Sequence, residues 1–327
     1  MAVVGAGHWG KNLVRNFAAL GALHSVCDAD AKIRARIGAQ YPGVQTTGDL
    51  ATLLSNPAIA RVAIATPAAA HHAHASAVLD AGKDVFVEKP LALTVEEGAD
   101  LVRRADALGR VLMVGHVLHY HPAVEKLQEI VRSGELGALR YVYSNRLNLG
   151  KVRTEENILW SFAPHDISIM LALVGSDPVR AAASGATYIT PGVPDVTVSQ
   201  LSFSGGVRGH IFVSWLHPYK EQRLVVVGDR KMAVFDDTLR DGKLRLHDKG
   251  IDVSGGAPVP RRDDETVIDI EDREPLLAEC QEFQDACRER RRPLTDGENG
   301  LRVLQVLAAC QASIEKDGEP VAVGART

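Results

Sequence analysis

The sequence predicts an α/β fold with a parallel sheet over residues 1–118, followed by an α+β region over 119–327. Three observations carry this. Apolar runs of strand length alternate with amphipathic stretches of helical spacing as far as residue 117, which is the pattern of a parallel sheet covered on both faces. A Gly-rich turn joins the first of these strands to the first helix. After His116 the rhythm becomes a series of period-two runs punctuated by Gly or Asp, as antiparallel strands require.

Bulk properties agree with a two-part globular chain. At 327 residues it exceeds one ordinary core, and with 46% hydrophobic and 24% charged residues it has an ordinary globular composition. No apolar run approaches the roughly 18 residues of a membrane span, and Met1 leads into AVVGAG without a basic, cleavable leader, so a cytoplasmic protein with no membrane partner is expected. The short lead before Gly5 leaves open whether Met1 is the native start. A net charge of −4 argues against nucleic acid, and the basic run Arg288–Arg292 is broken by Glu289. Of the four cysteines, Cys280 and Cys287 lie seven steps apart on one expected helix, beyond the ~7 Å a disulfide allows, and all four are expected as reduced core residues.

In order, the expected strands of the first part are AVVGAG, HSVCDA, RVAIAT, KDVFVEKP and RVLMVGH. Trp9, Leu13, Phe17 and Leu20 make the apolar stripe of the first helix, and Thr94 with Glu97 forms a capping box opening EEGADLVRRADALG. The second part begins with a helix over PAVEKLQEIVRSG and continues through RYVYSNRLNL. A short helix is expected around DISIMLALVG, then strands at ATYIT, TVSQLSF, VRGHIFVSW, RLVVVG and MAVFDD. Gly242–Asp264 is polar enough for a loop or loose hairpin, and helices over Leu276–Arg292 and Leu301–Ile314 end the chain, packed back on the body.

Residues 5–10, GAGHWG, are a G-x-G-x-x-G between strand and helix. Gly5, Gly7 and Gly10 let the backbone approach a pyrophosphate, with His8 and Trp9 inside the turn and the helix N-terminus directed at the anion. Asp28 ends the second strand, where a carboxylate accepts hydrogen bonds from an adenosine ribose and repels a 2′-phosphate, so NAD is expected over NADP. Two further stretches follow strand ends: ATPAAAHH at 65–72 and VEKP at 87–90. Lys89, followed by Pro90, is a poor packing residue there. Beside a nicotinamide it would lose affinity for its proton and gain use as an acid–base group.

GAGHWG, Asp28, the Thr66-Pro67-x-x-x-His71 pattern, Glu88-Lys89-Pro90 and a later histidine-bearing helix resemble the glucose-fructose oxidoreductase, inositol dehydrogenase and rhizopine-catabolism (Gfo/Idh/MocA) family over nearly the whole chain. The resemblance implies a Rossmann domain, a C-terminal domain with a large open, mostly antiparallel sheet, and a cis Lys89–Pro90 bond. It also implies a nicotinamide cofactor touched by Thr66, Pro67, His71, Glu88, Lys89 and His116, a catalytic or substrate-polarising role for Lys89, and a homodimer or homotetramer. Family members usually carry an aspartate four residues before the active-site histidine. Here position 161 is serine, leaving Lys89 and His165, the latter at a helix start beside Pro164, as the expected catalytic pair. The histidine clusters 71, 72, 74 and 116, 119, 121 lack a metal-binding spacing, and no metal is expected.

Substrate contacts are expected from SNRLNLGKVRTEEN, with Arg146, Lys151 and Arg153 for a diphosphate, Asn148 for sugar hydroxyls, and Lys89 and His165 at the reacting carbon. SWLHPYKEQRL adds Trp215, His217 and Tyr219, divided evenly between substrate contacts and ordinary sheet residues. The block at 148–168 resembles the branch of the family acting on UDP-sugars. This implies oxidation of the 3-hydroxyl of UDP-N-acetylglucosamine, feeding an aminotransferase on the way to a lipid A diamino sugar. Inositol, a free aldose or a UDP-uronic acid is the alternative substrate, and a non-catalytic regulator binding NAD and sugar the alternative class.

Overall fold

The computed structural model describes residues 1–253 and 255–324. They form two compact units, one of residues 1–120 with 273–304 and the other of 121–272 with 305 onward.

The first unit is a parallel sheet with helices between its strands. Along the chain come β1 (Ala2–Val4), α1 (Gly10–Ala19), β2 (Ser25–Cys27), α2 (Ala31–Gln40), β3 (Gln45–Thr47), α3 (Leu50–Leu54), β4 (Arg61–Ile64), α4 (His71–Asp80), β5 (Asp84–Glu88), α5 (Val95–Ala107) and β6 (Leu112–Gly115). The strand order is β3-β2-β1-β4-β5-β6, with every pairing parallel. Order reverses between β1 and β4, so the ends of these strands form the switch point at which doubly wound sheets take ligands. The central strands β1, β4 and β5 are apolar because both their faces are covered, and Val3, Ala63 and Phe86 are fully buried. Thr94 caps α5 by accepting from the Glu97 amide at 3.1 Å, as the capping box predicts. The sequence reading missed β3, whose three residues QTT are polar because it is an edge strand with little to bury.

In the second unit are α6 (Pro122–Arg132), β7 (Leu139–Leu149), α7 (Ile158–Val174), β8 (Pro178–Ala186), β9 (Val196–Phe203), β10 (Arg208–Ser214), β11 (Leu216–Gly228), β12 (Met232–Asp236), β13 (Leu244–Asp252) and β14 (Val259–Ile268). The chain then supplies α8 (Pro275–Glu289) to the first unit, runs through α9 (Gly297–Ile314), and ends in β15 (Val321–Ala322). The nine-stranded sheet has the order β14-β13-β12-β11-β7-β10-β9-β8-β15. It is antiparallel except for β7 beside β10. Along β9, Thr197, Ser199, Leu201 and Phe203 are buried while Val198 is exposed, the alternation of a sheet with one covered face. The covering element is α7.

Two expectations in this unit need correction. The short helix expected around DISIMLALVG is the end of a 17-residue helix that begins at Ile158, capped by Asn157 accepting from the Trp160 amide at 3.2 Å. It runs through Pro164, so His165 lies inside the helix and not at its start. Burial of Leu159, Ala163, Ile167, Met170 and Leu171 outweighs the one backbone hydrogen bond that proline forfeits. The strand expected at ATYIT is instead the end of β8 and a turn, where buried Asp195 accepts from the Tyr188 and Ile189 amides at 2.7 and 2.9 Å. Within Gly242–Asp264, expected as a loop or loose hairpin, β13 pairs antiparallel with β14 as a hairpin whose register shifts between His247 and Lys249, and β14 is polar because an edge strand has little core to cover. All four cysteines are buried free thiols.

Candidate functional site

In the first unit, the Gly5–Gly10 turn follows β1 and opens α1. Gly5 has φ +86°, and a Cβ there would meet the Ala65 carbonyl oxygen at 2.8 Å. At Gly10 a Cβ would sit 1.9 Å from the Gly5 carbonyl oxygen, so both glycines are dictated by the fold itself. Gly7 differs, because a Cβ there would meet nothing within 4 Å. Its surface is open, and α1 has no side-chain cap to occupy its N-terminal amides. An open glycine beside an uncapped helix start fits a dinucleotide pyrophosphate. His8 and Trp9 are exposed on the same turn.

Asp28, half-buried, receives the Ala6 amide on Oδ2 at 2.7 Å and the Asp30 amide on Oδ1 at 2.9 Å. Each carboxylate oxygen keeps acceptor capacity for ribose hydroxyls. Arg34 donates to the Asp28 carbonyl at 2.7 Å, and Arg36 to the Ala6 carbonyl at 3.1 Å.

The loops after β4 and β5 are pinned together by one histidine. The His71 ring, 1% exposed, lies 2.7 Å from the Pro90 carbonyl and 2.9 Å from that of Thr66, and burial lowers its pKa. Thr66 also meets His74 at 3.2 Å, while Pro67 is exposed at the start of a short 3-10 turn. The Lys89–Pro90 bond is cis. Glu88 is buried, accepts from the Trp9 indole and from the Lys89 amide at 3.3 Å, and burial lifts its pKa to about 7. His116, 1% exposed with neither ring nitrogen hydrogen-bonded, is driven down to about 3 by burial and then by His119 and Lys89. The expected cofactor residues Trp9, Glu88, Lys89 and His116 are thus linked within this unit, and His71 and Thr66 form a second linked set joined to it at Pro90. His72 stands apart, bound to Asp100 at 3.0 Å.

In the second unit, His165 is half-buried on α7 and its neighbour Asp166 is a clamp. Asp166 accepts from Ser144 at 2.6 Å and from Arg146 at 2.9 and 3.1 Å, tying α7 to β7. Burial would lower the Arg146 pKa, but Asp166 and Asp237 more than offset it. Asp237 is itself held at about 2, against the effect of its burial, by His121 and Lys243. The Arg146 fork is therefore already engaged. Arg140 pairs with Asp229 and Arg153 with Glu156, whereas Lys151 is exposed with no partner among the described residues. Asn148 keeps an amide oxygen without a hydrogen bond. Asn145 donates to Glu221 and Asn157 to Gln311. Of the aromatic trio, Trp215 is a core residue bonded to Asp195 at 2.6 Å, and Tyr219 is 62% exposed with His217 edge-on against it.

Two residues escaped the sequence reading. Asp166 follows the histidine that drew attention, and its role needs β7 to be seen. Glu279 is fully buried on α8 with neither oxygen hydrogen-bonded. Its signal was a glutamate set among Leu276, Cys280 and Phe283 at helical spacing.

Residues 1–116 match the family model of oxidoreductases with an NAD-binding Rossmann fold, and residues 124–234 match the Gfo/Idh/MocA C-terminal domain. UDP-N-acetylglucosamine 3-dehydrogenase from Acidithiobacillus ferrooxidans is 28% identical over 319 residues, covering 96% of each chain. Its solved structure superposes with a TM-score of 0.85 at 27% identity, covering 97% of both. A solved chain from Magnetospirillum magnetotacticum MS-1 is 33% identical with a TM-score of 0.82, covering 94% of this chain and 98% of that one. Full-length similarity at this level, together with a glycine turn open for a pyrophosphate, places the chain in the Gfo/Idh/MocA family of oxidoreductases, with NAD as its cofactor.

Proposed function

We propose that the chain oxidises the 3-hydroxyl of a UDP-sugar, UDP-N-acetylglucosamine, to the 3-keto form. The observation that carries this is the similarity to the Acidithiobacillus enzyme across 96% of both chains. In this proposal residues 1–118 hold the cofactor, and 119–327, apart from the 273–304 segment that joins the first unit, hold the sugar nucleotide and assemble the chain into a homodimer or homotetramer.

Bound in the first unit, NAD would supply the acceptor for the C3 hydride. The residues of this chain do the rest. Gly5, Gly7 and Gly10 bring backbone amides to the pyrophosphate, and Asp28 holds the adenosine ribose. Lys89 or His165 removes the hydroxyl proton. His116 is neutral and buried, so it adds no charge beside Lys89. Lys151 and Arg153 contact the diphosphate, and Asn148 offers an acceptor to a hydroxyl. Arg146 belongs to the same surface but acts through Asp166, holding β7 to the helix that bears His165. Contacts to the distant UDP position C3 for transfer.

The test is absorbance at 340 nm with NAD and UDP-N-acetylglucosamine, alone and coupled to an aminotransferase that removes the keto product in the cytoplasmic pathway proposed here. NADH formation is expected, strongest in the coupled mixture. No signal there, with turnover of inositol, a free aldose or a UDP-uronic acid instead, would transfer the assignment to that substrate. NAD binding without turnover of any of them would make the chain a sensor.

A further inference from the structure

Strand β5 and helix α8 run side by side in the first unit as a ladder. By period two, Asp84, Phe86 and Glu88 share one face of β5. At i, i+4 and i+8, Glu279, Phe283 and Cys287 share one face of α8. Four helical residues rise about 6 Å and two strand residues about 6.7 Å, so the rungs stay in step. On the first rung the Cys287 thiol bonds Asp84, which Arg290 also holds at 2.8 and 3.0 Å. On the second, the Phe86 and Phe283 rings meet edge-on at 5.8 Å. By the same register the third rung places Glu279 on the side of Glu88, within reach of its charge, both buried, and Glu88 is the group that receives the Trp9 indole and the Lys89 amide.

We propose that Glu279 is a positioning residue: its carboxyl stays neutral behind Glu88, leaving Glu88 as the one charged member of the pair, free to hold Trp9 of the dinucleotide turn and the backbone of Lys89. Loss of the second proton to solvent puts two like charges on one dry rung and drives Glu88 off Trp9. The link to cofactor affinity rests on the Gly5–Gly10 turn being the NAD site.

The surroundings offer Glu279 no compensation for charge. Burial and Glu88 both raise its pKa, well above the ordinary value. From the turn at 117–120, Tyr120 faces it with a hydroxyl bonded to Thr295 at 3.0 Å, next to His119. From α1, Arg15 is paired with Glu274, and Cys280 on α8 is a buried thiol that burial keeps protonated.

The experiment is a pH titration of tryptophan fluorescence on the full chain without cofactor, for wild type, Glu279→Gln and Glu279→Leu. Trp9→Phe removes the Trp9 signal and isolates the background of Trp160 and Trp215. Wild type should show one Trp9 step near pH 7, from Glu88, and a second at higher pH, the alkaline step. Both neutral variants should keep the first step and lose the second. NADH affinity should fall about tenfold or more across the alkaline step in wild type and hold within about twofold in the variants. An alkaline step that persists in Glu279→Gln, or is absent from wild type, overturns the proposal, as does loss of the neutral step in Glu279→Gln. Trp9 steps as described in a protein that binds no NAD at any pH would refute the cofactor site and leave the carboxyl pair standing.

Discussion

Replacing Asp28 by Asn should raise the acceptance of NADP relative to NAD. The Asp28 carboxylate already receives the Ala6 and Asp30 amides, and an adenosine ribose placed on it carries its 2′ position into direct contact. A phosphate about 4 Å away would meet a repulsion of about 1 kcal/mol per unit charge in water and about 4 kcal/mol at an effective dielectric of 20. Asp28 is half-buried and the phosphate carries more than one charge, so about 2–4 kcal/mol, or roughly 30- to 1,000-fold in affinity, is the expected discrimination. Asn removes the charge and keeps an amide oxygen for a backbone donor, which avoids stranding both amides as Ala would. Arg34 and Arg36, anchored on the Asp28 and Ala6 carbonyls, then become the nearest charges to a 2′-phosphate. The assay is fluorescence titration with NADH and NADPH. NADPH affinity should rise at least about tenfold and NADH affinity fall by a few-fold, from weaker ribose hydrogen bonds. An unchanged ratio of the two dissociation constants would refute the placement of the ribose on Asp28.

Four other expectations follow from particular contacts. Lys89→Ala should abolish turnover while leaving NAD affinity within a few-fold, measured by stopped assay and titration on the same sample. Gly7→Ala, which meets open space, should leave the melting temperature nearly unchanged and weaken NAD binding, whereas Gly10→Ala, aimed at the Gly5 carbonyl, should cost about 3 kcal/mol or more in urea unfolding. Asp166→Leu strands the largely buried Arg146 and should destabilise by about 3 kcal/mol, and the double change with Arg146→Met should recover most of it. Because Glu88 binds its proton more tightly folded than unfolded, its contribution is intact below pH ~4.5 and is lost as pH rises to about 7. Stability should therefore decline across that window, on the order of 3 kcal/mol, and Glu88→Gln should flatten the decline.

The parallel sheet and its ligand turn were legible in the sequence because each depends on local pattern. Both faces of β1, β4 and β5 are covered, so these strands read as continuous apolar runs, and the glycine spacing of the turn reflects contacts within a few residues and one neighbouring strand. The antiparallel character of the second sheet was legible for the same reason, through the alternation along β9 and β10. Edge strands were not. The QTT of β3 and the charged β13–β14 hairpin bury little, and hydrogen bonding to a neighbour is what makes them strands.

Burial of side chains against partners remote in sequence was decided by tertiary structure alone. The composition around Pro164 argues for a break, yet the helix passes through it because its apolar residues have a sheet to cover. Arg146 looks like a free cation for a phosphate until Asp166, 20 residues away, is brought to it at 2.9 Å. The helical spacing around Glu279 hints at burial, but only the contact of Phe86 with Phe283 shows that α8 lies against β5. The amino-acid order sets which local shapes the backbone favours and which faces must leave water. Which carboxylate meets which cation, and which meets another carboxylate, depends on long-range packing that no local pattern encodes.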